Sequence, residues 1–368
     1  AMRLMALSCL GQWEKAVALD LVDGRARGRE RQSGKDARQA LSAVLPDLMK
    51  AGAEVQDEAL KTAGRISLAL DHASLARRVR DDNAELRDRL TALSLLASQK
   101  SPELPAVLEF ALSSKETALA AAALPVLAKK EAEKGRELAT QWLAREDLGL
   151  RRSALRVFAA HPGKEAAAGL ATALESSLAG KWPAALILEL EAAAAANGKF
   201  LPADLLARYE KSLAERRGSD SVEIAYAGSL VGGDLAKGRA IALNHLAAQC
   251  ALCHAFGESG STVGPSLAHI GSKGAVHILE SLVQPNAQIA EGYGSGTIVL
   301  KDGASVSGTY LKEDAGEVRV KLADGTEKVV PRAEIQEMTP ALSTMPPMGA
   351  ILNRTELRDL VAYLESLK

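Results

Sequence analysis

Aromatic residues and long apolar runs are both scarce in this chain. Tryptophan, tyrosine and phenylalanine together supply only 3% of its 368 residues, and stretches rich in alanine and leucine dominate instead. This composition predicts a mainly helical fold. Because no run of about 18 apolar residues occurs, no segment is predicted to span a membrane. One core rarely serves a chain of this length, so two or three domains are expected.

An excess of charge of either sign is also lacking. The 45 lysine and arginine residues nearly balance the 46 aspartate and glutamate residues, for a net charge of -1. Nucleic acid and anionic membrane surfaces are therefore not predicted as partners, because nothing attracts the chain to them electrostatically. The first residues, Ala1 to Leu4, lack the basic region and the sustained apolar stretch of a signal peptide.

Cysteine is equally rare, and two of the three cysteines lie in one motif, Cys250-Ala251-Leu252-Cys253-His254. A zinc knuckle needs further ligands at similar spacing, whereas the third cysteine, Cys9, is remote, has no adjacent histidine and is predicted to be a buried thiol. A thioredoxin-like redox pair needs a βαβ context, which the helical sequence before Cys250 does not offer. The C-x-x-C-H spacing favours one covalently attached haem c over a zinc site, a redox pair or a chance match. Both cysteines would then form thioethers to the haem, and His254 would be the proximal iron ligand.

The residues after this motif extend the pattern. Gly264-Pro265-Ser266-Leu267 and Ile270-Gly271 follow it, and Ser343-Thr344-Met345-Pro346-Pro347 precedes a last amphipathic helix from Thr355 to Leu367. This order resembles a class I cytochrome c.

The resemblance implies roles for several of these residues. His254 would be the proximal ligand and Met345 the distal one, with the Pro265 carbonyl orienting the His254 ring. Met348 is the alternative distal ligand, whereas Met338 is expected to be a core residue. The residues expected to line or support the haem are Gly264, Pro265, Leu267, Ile270, Leu360 and Tyr363.

The C-terminal third also resembles a narrower group, the haem-binding domains at the C-termini of large proteins of Planctomycetes and Verrucomicrobia. The motifs that carry this resemblance are Gly264 to Leu267, Ser281 to Asn286, Gly292-Tyr293, Leu300 to Gly303, Ser343 to Pro346 and Leu357 to Leu364. Such domains often follow HEAT-like repeats and a propeller like that of sugar dehydrogenases. One departure is that Gly238 leads into Ala240-Ile241-Ala242 without the usual aromatic residue, which weakens the expectation that the first haem-domain helix packs on the last.

The first 231 residues contain an internal repeat. The stretches Ala92 to Ala97, Ala123 to Ala128, Ala154 to Ala159 and Ala185 to Leu190 follow one another at a constant offset of 31 residues. A constant period of this size with two amphipathic helices per unit predicts a solenoid, and it resembles HEAT-like repeats. We therefore expect a helical repeat domain at 1–231 and a cytochrome c domain at 232–368. The basic stretch Arg25 to Arg31 is interpreted as a solvated loop rather than a binding patch.

Within the second domain the period changes from helical to alternating. A helix is predicted from Leu235 to about Gln249 and another over 274–284, and His245, His269 and His277 are expected to pack or face solvent. At about 294–337, short β-rich runs are separated by Asp-Gly turns, which predicts a small inserted barrel or curled sheet of four or five strands. The insertion could cover the haem edge, dock a partner or serve only as a stabilising decoration.

Together these features predict an electron carrier rather than an enzyme, either separate or as a module of a larger dehydrogenase. A His/Met-ligated haem is six-coordinate and closed to substrate, so the expected partners are a sugar or alcohol dehydrogenase as donor and a periplasmic acceptor. Because haem is attached covalently outside the bacterial cytoplasm, we expect a periplasmic or otherwise exported protein whose export signal lies upstream of residue 1. Two alternatives stay open: a haem enzyme or gas sensor with a labile distal ligand, and an interaction scaffold with ancillary haem.

Overall fold

The computed structural model describes residues 2–14, 33–49, 51–257 and 261–368, so the basic stretch Arg25 to Arg31 lies outside the described residues. The protein is mainly helical with one small antiparallel sheet near the C-terminus, as the composition predicts. Its helices are α1 Met2–Gly11, α2 Gly34–Leu48, α3 Ala53–Arg65, α4 His72–Arg80, α5 Leu86–Ser98, α6 Leu104–Leu112, α7 Thr117–Lys130, α8 Ala132–Leu143, α9 Leu148–Ala160, α10 Lys164–Leu178, α11 Ile187–Asn197, α12 Ala203–Arg217, α13 Val222–Ala225, α14 Leu235–Asn244, α15 Cys250–Cys253, α16 Gly274–Val283 and α17 Arg354–Ser366. Among the described residues, none of these helices is long and apolar enough to cross a membrane.

The chain forms two compact units, Ala1–Gly169 and Leu170–Lys368. The domain boundary predicted near Val231 falls inside the second unit and stays a prediction.

The four repeated stretches all fall on helical segments: α5, α7, α9 and the 3-10 helix Ala184–Leu186 that leads into α11. Leu93, Leu124, Leu155 and Leu186 are spaced by 31 residues, and each is at most 1% exposed. Within the first unit, α7 packs against α5, α6, α8 and α9. The 31-residue period therefore marks equivalent buried positions on every second helix.

A buried carboxylate joins two helices of the first unit. Asp57 on α3 is fully buried, accepts hydrogen bonds from Arg87 Nε at 2.7 Å and Thr91 Oγ1 at 2.5 Å, and pairs with Lys61 Nζ at 2.7 Å. Burial raises the pKa of Asp57, but the hydrogen bonds from Lys61, Thr91 and Arg87 together outweigh burial and hold this pKa below its usual value. The charged form of Asp57 therefore links α3 to α5.

The prediction for Cys9 was wrong, because its side chain is exposed on α1. Leu7 is the buried residue of this helix. A residue two positions along a helix points toward the opposite side, so burial of Leu7 turns Cys9 outward.

In the second unit, α14 and α17 cross in close contact. A Cβ at Gly238 would overlap the carbonyl oxygen of Asp359 and lie 2.7 Å from the Cβ of Tyr363. The first helix of the predicted haem domain therefore packs directly on the last one even though no aromatic residue follows Gly238. A glycine lets the two backbones approach where a larger residue would hold them apart.

The helix predicted from Leu235 to Gln249 ends five residues early, at Asn244. The chain turns there, because Nδ1 of His245 accepts a hydrogen bond from the Ala248 amide at 3.0 Å. Gln249 then adopts a left-handed conformation with φ +46°, and the one-turn helix α15 follows. The helix predicted over 274–284 agrees with α16, and the last helix agrees with α17 to within one residue.

The predicted β insertion is present as an antiparallel sheet of six strands rather than four or five. The strands are β1 Gly294–Leu300, β2 Ser305–Glu313, β3 Glu317–Lys321, β4 Glu327–Pro331, β5 Ile335–Met338 and β6 Leu342–Ser343. Their order is β4-β3-β2-β1-β5, with β6 also paired to β1. Both Asp-Gly turns form with positive φ, +87° at Gly303 and +85° at Gly325, as their sequence predicts.

The described residues from 222 onward include two apolar cores. The sheet core consists of Ile298, Leu300, Val306, Tyr310, Val318, Val320 and Val330. The helical core consists of Val222, Ala242, Ile278, Leu279, Leu282, Met348, Leu352, Leu357, Leu360, Val361, Tyr363 and Leu364.

Candidate functional site

The C-x-x-C-H motif forms a single helical turn. The His254 amide donates to the carbonyl of Cys250 at 2.9 Å, and the Gly264 amide donates to the carbonyl of Cys253 at 2.7 Å. Both thiols are free; Cys250 is half-buried and Cys253 is exposed. Burial raises the pKa of the Cys250 thiol, so this group is protonated at neutral pH. The turn thus presents two unpaired thiols on one short helix, next to an imidazole.

The His254 ring is oriented by a backbone carbonyl. Its Nδ1 lies 2.8 Å from the carbonyl oxygen of Pro265. Because a carbonyl can only accept, Nδ1 carries a proton, and in the neutral ring the lone pair then lies on Nε2. Within the described part of the chain, Nε2 forms no hydrogen bond. The ring is therefore held in the tautomer that suits metal ligation through Nε2.

Gly264 fits closely against this ring. A Cβ at this position would lie 2.8 Å from Cε1 and 3.0 Å from Nδ1 of His254. Both predicted site residues therefore lie against the imidazole. Gly264 leaves room for the ring because it has no Cβ, and Pro265 accepts a hydrogen bond from the ring through its carbonyl.

The three candidate methionines differ in burial. Met345 is half-buried and packs against the helical core, whereas Met348 is 3% exposed and belongs to that core. Met338 lies on β5 and packs against the sheet core, as predicted. Met345 is thus the methionine with a partly accessible thioether next to the helical core.

The other predicted site residues also lie at the helical core. Leu360 and Tyr363 on α17 belong to it, and Leu267 and Ile270 pack against it while half-buried. The Ile270 segment is tied to the end of α17, because the Gly271 amide donates to the Leu367 carbonyl at 2.9 Å. The C-x-x-C-H turn, its downstream loop and the last helix are thereby brought together.

Sequence reasoning missed Phe256. Its ring lies 6.2 Å from the ring of Tyr363, centroid to centroid, in a tilted arrangement. The available signal was position: one of only four phenylalanines in the chain comes two residues after His254.

The three other histidines of the predicted haem domain are placed as expected. His245 closes the turn after α14 and its Nε2 lies 3.9 Å from Glu356 Oε1, whereas His277 is half-buried and His269 is exposed. None of the three is in contact with His254 among the hydrogen bonds and ion pairs of the described residues.

The residues present fit a covalently attached haem. The thiols of Cys250 and Cys253 are free and lie one helical turn apart, and the His254 ring has an available Nε2. The half-buried thioether of Met345 and several apolar side chains pack against the helical core. Among the described residues, no group of three or more histidine, cysteine, aspartate or glutamate side chains is placed to hold a bare metal ion. In comparisons with known proteins, no protein-family model and no curated protein sequence matches the chain.

Proposed function

We propose that this chain is an electron-transfer protein that carries one covalently attached haem c with His254 and Met345 as axial ligands. The observation that supports the proposal best is the His254 ring, whose Nδ1 bonds to the Pro265 carbonyl beside two free thiols. A thioredoxin-like redox pair or a chance motif gives no reason for an imidazole held with Nε2 free.

Each residue of the site has a distinct task under this proposal. Cys250 and Cys253 fix the porphyrin edge, and the Pro265 carbonyl keeps Nδ1 protonated and makes Nε2 a better donor. Met345 would ligate the iron and so exclude substrate and small gases. Bound haem supplies a one-electron Fe(III)/Fe(II) couple, whose reduced state a thioether ligand favours.

The proposal extends to the architecture. The helical segments with the 31-residue period would form a HEAT-like solenoid, and the segment from 232 onward a class I cytochrome c domain with an inserted sheet. The solenoid would serve as a scaffold or docking surface, since this is the usual use of such repeats. The chain would work in the periplasm, accepting electrons from a sugar or alcohol dehydrogenase and passing them to an acceptor protein.

The test is an optical spectrum of protein produced with a c-type maturation system, oxidised and reduced, with and without carbon monoxide. We expect a low-spin spectrum that carbon monoxide leaves unchanged. A high-spin spectrum or ready binding of carbon monoxide would instead support a haem enzyme or gas sensor.

Two methionine variants identify the distal ligand. Met345→Ala should keep the haem attached but open a coordination position to carbon monoxide. Met348→Ala removes a side chain that is 3% exposed, so it should lower the free energy of unfolding by about 2–5 kcal/mol and leave the spectrum low-spin. If Met345→Ala kept the wild-type spectrum, Met345 would not be the ligand.

A further inference from the structure

The inserted sheet is directly connected to the segment that carries Met345. Residues 344–347 lie between β6, which ends at Ser343, and the 3-10 helix that begins at Met348. We infer that the sheet is a positioning element for the distal ligand and that Asn286, Ser343 and Gly294 are its positioning residues. This inference rests on the proposed function, because it takes Met345 as the ligand.

Backbone pairing forms the first part of the anchor. β6 pairs with the start of β1, with Ser343 opposite Gly294 and Leu342 opposite Ser295. β1 is central in the sheet, because it also pairs with β2 and β5. The residue two positions before Met345 is thus fixed to a strand held by three neighbours.

Two hydrogen bonds to side chains strengthen this anchor. The Ser343 amide donates to Oδ1 of Asn286 at 2.8 Å, and Asn286 comes just after α16 and the buried Pro285. The Met345 amide donates to Oγ of Ser343 at 3.2 Å. Asn286 therefore ties the methionine segment to the end of α16, and Ser343 passes that restraint to the backbone of Met345.

Close packing at Gly294 completes the contact. Gly294 is buried, and a Cβ there would lie 2.7 Å from the Cβ of Ala341. A larger residue at this position must displace either Ala341, the residue just before β6, or β1 itself, and so disturbs the pairing of the two strands.

The other end of the segment is anchored in the helical core. Met348 is 3% exposed, and its carbonyl accepts from the amides of Ile351 at 3.0 Å and Leu352 at 2.8 Å. Of the four residues between the anchors, two are prolines, Pro346 and Pro347, whose φ is fixed. Met345 therefore lies in a short, stiff bridge between the sheet and the core.

A stiff bridge matters because a thioether is a weak ligand. The more freely the segment moves, the larger is the fraction of molecules in which Met345 is away from the iron. The apparent affinity for an added ligand such as carbon monoxide rises in proportion to that fraction. The sheet, remote in sequence from the C-x-x-C-H motif, would then control ligand exchange at the iron.

The experiment compares two anchor variants with two matched controls in the full chain. Asn286→Ala removes the acceptor for Ser343, and Gly294→Ala disturbs the pairing of β6 with β1. Gln288→Ala changes an exposed residue two positions from Asn286, and Gly316→Ala adds a Cβ whose nearest neighbour is Asp314 Oδ1 at 3.7 Å. The measurements are hydrogen exchange at the amides of Ser343 and Met345, with and without haem attached, and carbon monoxide binding to the reduced holoprotein.

In both anchor variants we expect the two amides to exchange about five- to tenfold faster, the effect of losing one hydrogen bond. Carbon monoxide binding should tighten by a similar factor, and the controls should match wild type. Unchanged exchange in both anchor variants would overturn the inference, and so would faster exchange without any change in carbon monoxide binding.

Failure of the proposed function has a different signature. A wild-type chain that takes up no haem, or that binds carbon monoxide as readily as the anchor variants, removes the ligand role of Met345 and overturns this inference with it. Amide exchange in the haem-free chain would still report whether the sheet holds the segment.

Discussion

At the scale of single residues, the space beside the His254 ring is a tight restraint on the predicted proximal ligand. Gly264→Ala would place a Cβ 2.8 Å from Cε1 of His254, so the ring must tilt and its bond to the Pro265 carbonyl must lengthen. We expect the Nδ1 proton to exchange about tenfold faster in NMR spectra, and haem attachment to fall.

Gly257→Ala is the matched control, because a Cβ at Gly257 meets no atom of the described residues within 4 Å. Equal proton exchange and haem attachment in the two variants would show that Gly264 does not hold the ring.

The residue scale is also where the sequence was most informative. Cys250, Cys253, His254, Gly264 and Pro265 lie within 16 consecutive positions, and the resemblance to a class I cytochrome c implies that they meet. Asn286 and Ser343 are 57 positions apart and meet only through the sheet, which spacing does not reveal. Both residues belong to motifs that carry the resemblance, Ser281 to Asn286 and Ser343 to Pro346, but nothing in either motif predicts that the two side chains meet.

At the scale of elements, the crossing of α14 and α17 depends on one glycine. In an exposed helix, replacing glycine by alanine stabilises the protein by about 0.5–1 kcal/mol. Gly238→Ala should do the opposite and destabilise by about 1–3 kcal/mol, because the new Cβ overlaps the Asp359 carbonyl. Urea denaturation followed by circular dichroism measures this change, and a stabilised variant would mean that the two helices do not cross at Gly238.

Element prediction succeeded where periodicity is strong. Alternation and Asp-Gly turns located the first four strands, whereas β5 and the two-residue β6 are too short for a detectable pattern. The predicted extension of α14 to Gln249 failed, because the side chain of His245 caps a turn and Gln249 adopts a left-handed conformation. Apolar periodicity carries no signal for either feature.

The link between α3 and α5 should make the stability of the fold depend on pH. Since the folded state lowers the pKa of Asp57, the charged carboxylate stabilises the fold above the usual pKa of about 3.8, and this contribution disappears as the pH falls through the lowered folded value. Asp57→Asn should therefore cost about 1–3 kcal/mol at pH 7, and the difference from wild type should shrink below about pH 4.

Denaturant unfolding at several pH values tests this prediction, with Glu58→Gln as control. Glu58 on the same helix pairs with the half-exposed Arg65 at 2.8 Å, and such pairs contribute about 0–1 kcal/mol. A constant cost of Asp57→Asn from pH 7 down to pH 3 would contradict the assigned role.

At the scale of the whole molecule, the predicted boundary near Val231 follows a change in motif, whereas packing is continuous across it. Arg354 on α17 lies with its guanidinium 4.3 Å from the ring centre of Tyr226, and the Arg354 carbonyl accepts from Ser229 Oγ at 2.9 Å. The end of a repeat is marked by the end of its sequence pattern, whereas the end of a compact unit is marked by a drop in the density of contacts. Only the first of these is visible in a sequence.

A buried ion pair provides the sharpest test of this continuity. Arg358 on α17 donates from one terminal nitrogen to both carboxylate oxygens of Glu189 on α11, each at 3.0 Å, and the two side chains are 2% and 7% exposed. Glu189→Ala leaves the Arg358 charge buried without this partner, so we expect a loss of about 3–5 kcal/mol. Glu175→Ala is the control, because its pair with Arg208 is half-exposed and should contribute at most about 1 kcal/mol.

The measurement is chemical unfolding of the full chain, followed both by helix content and by haem absorbance. If residues 187–231 and the predicted cytochrome domain unfold together, Glu189→Ala should lower the denaturant midpoints of helix content and of haem absorbance by the same amount. Haem absorbance that keeps its wild-type midpoint while helix content falls early would show that the predicted domain at 232–368 is stable without α11. In that case the sequence motif, rather than the compact unit, would define the haem-binding domain.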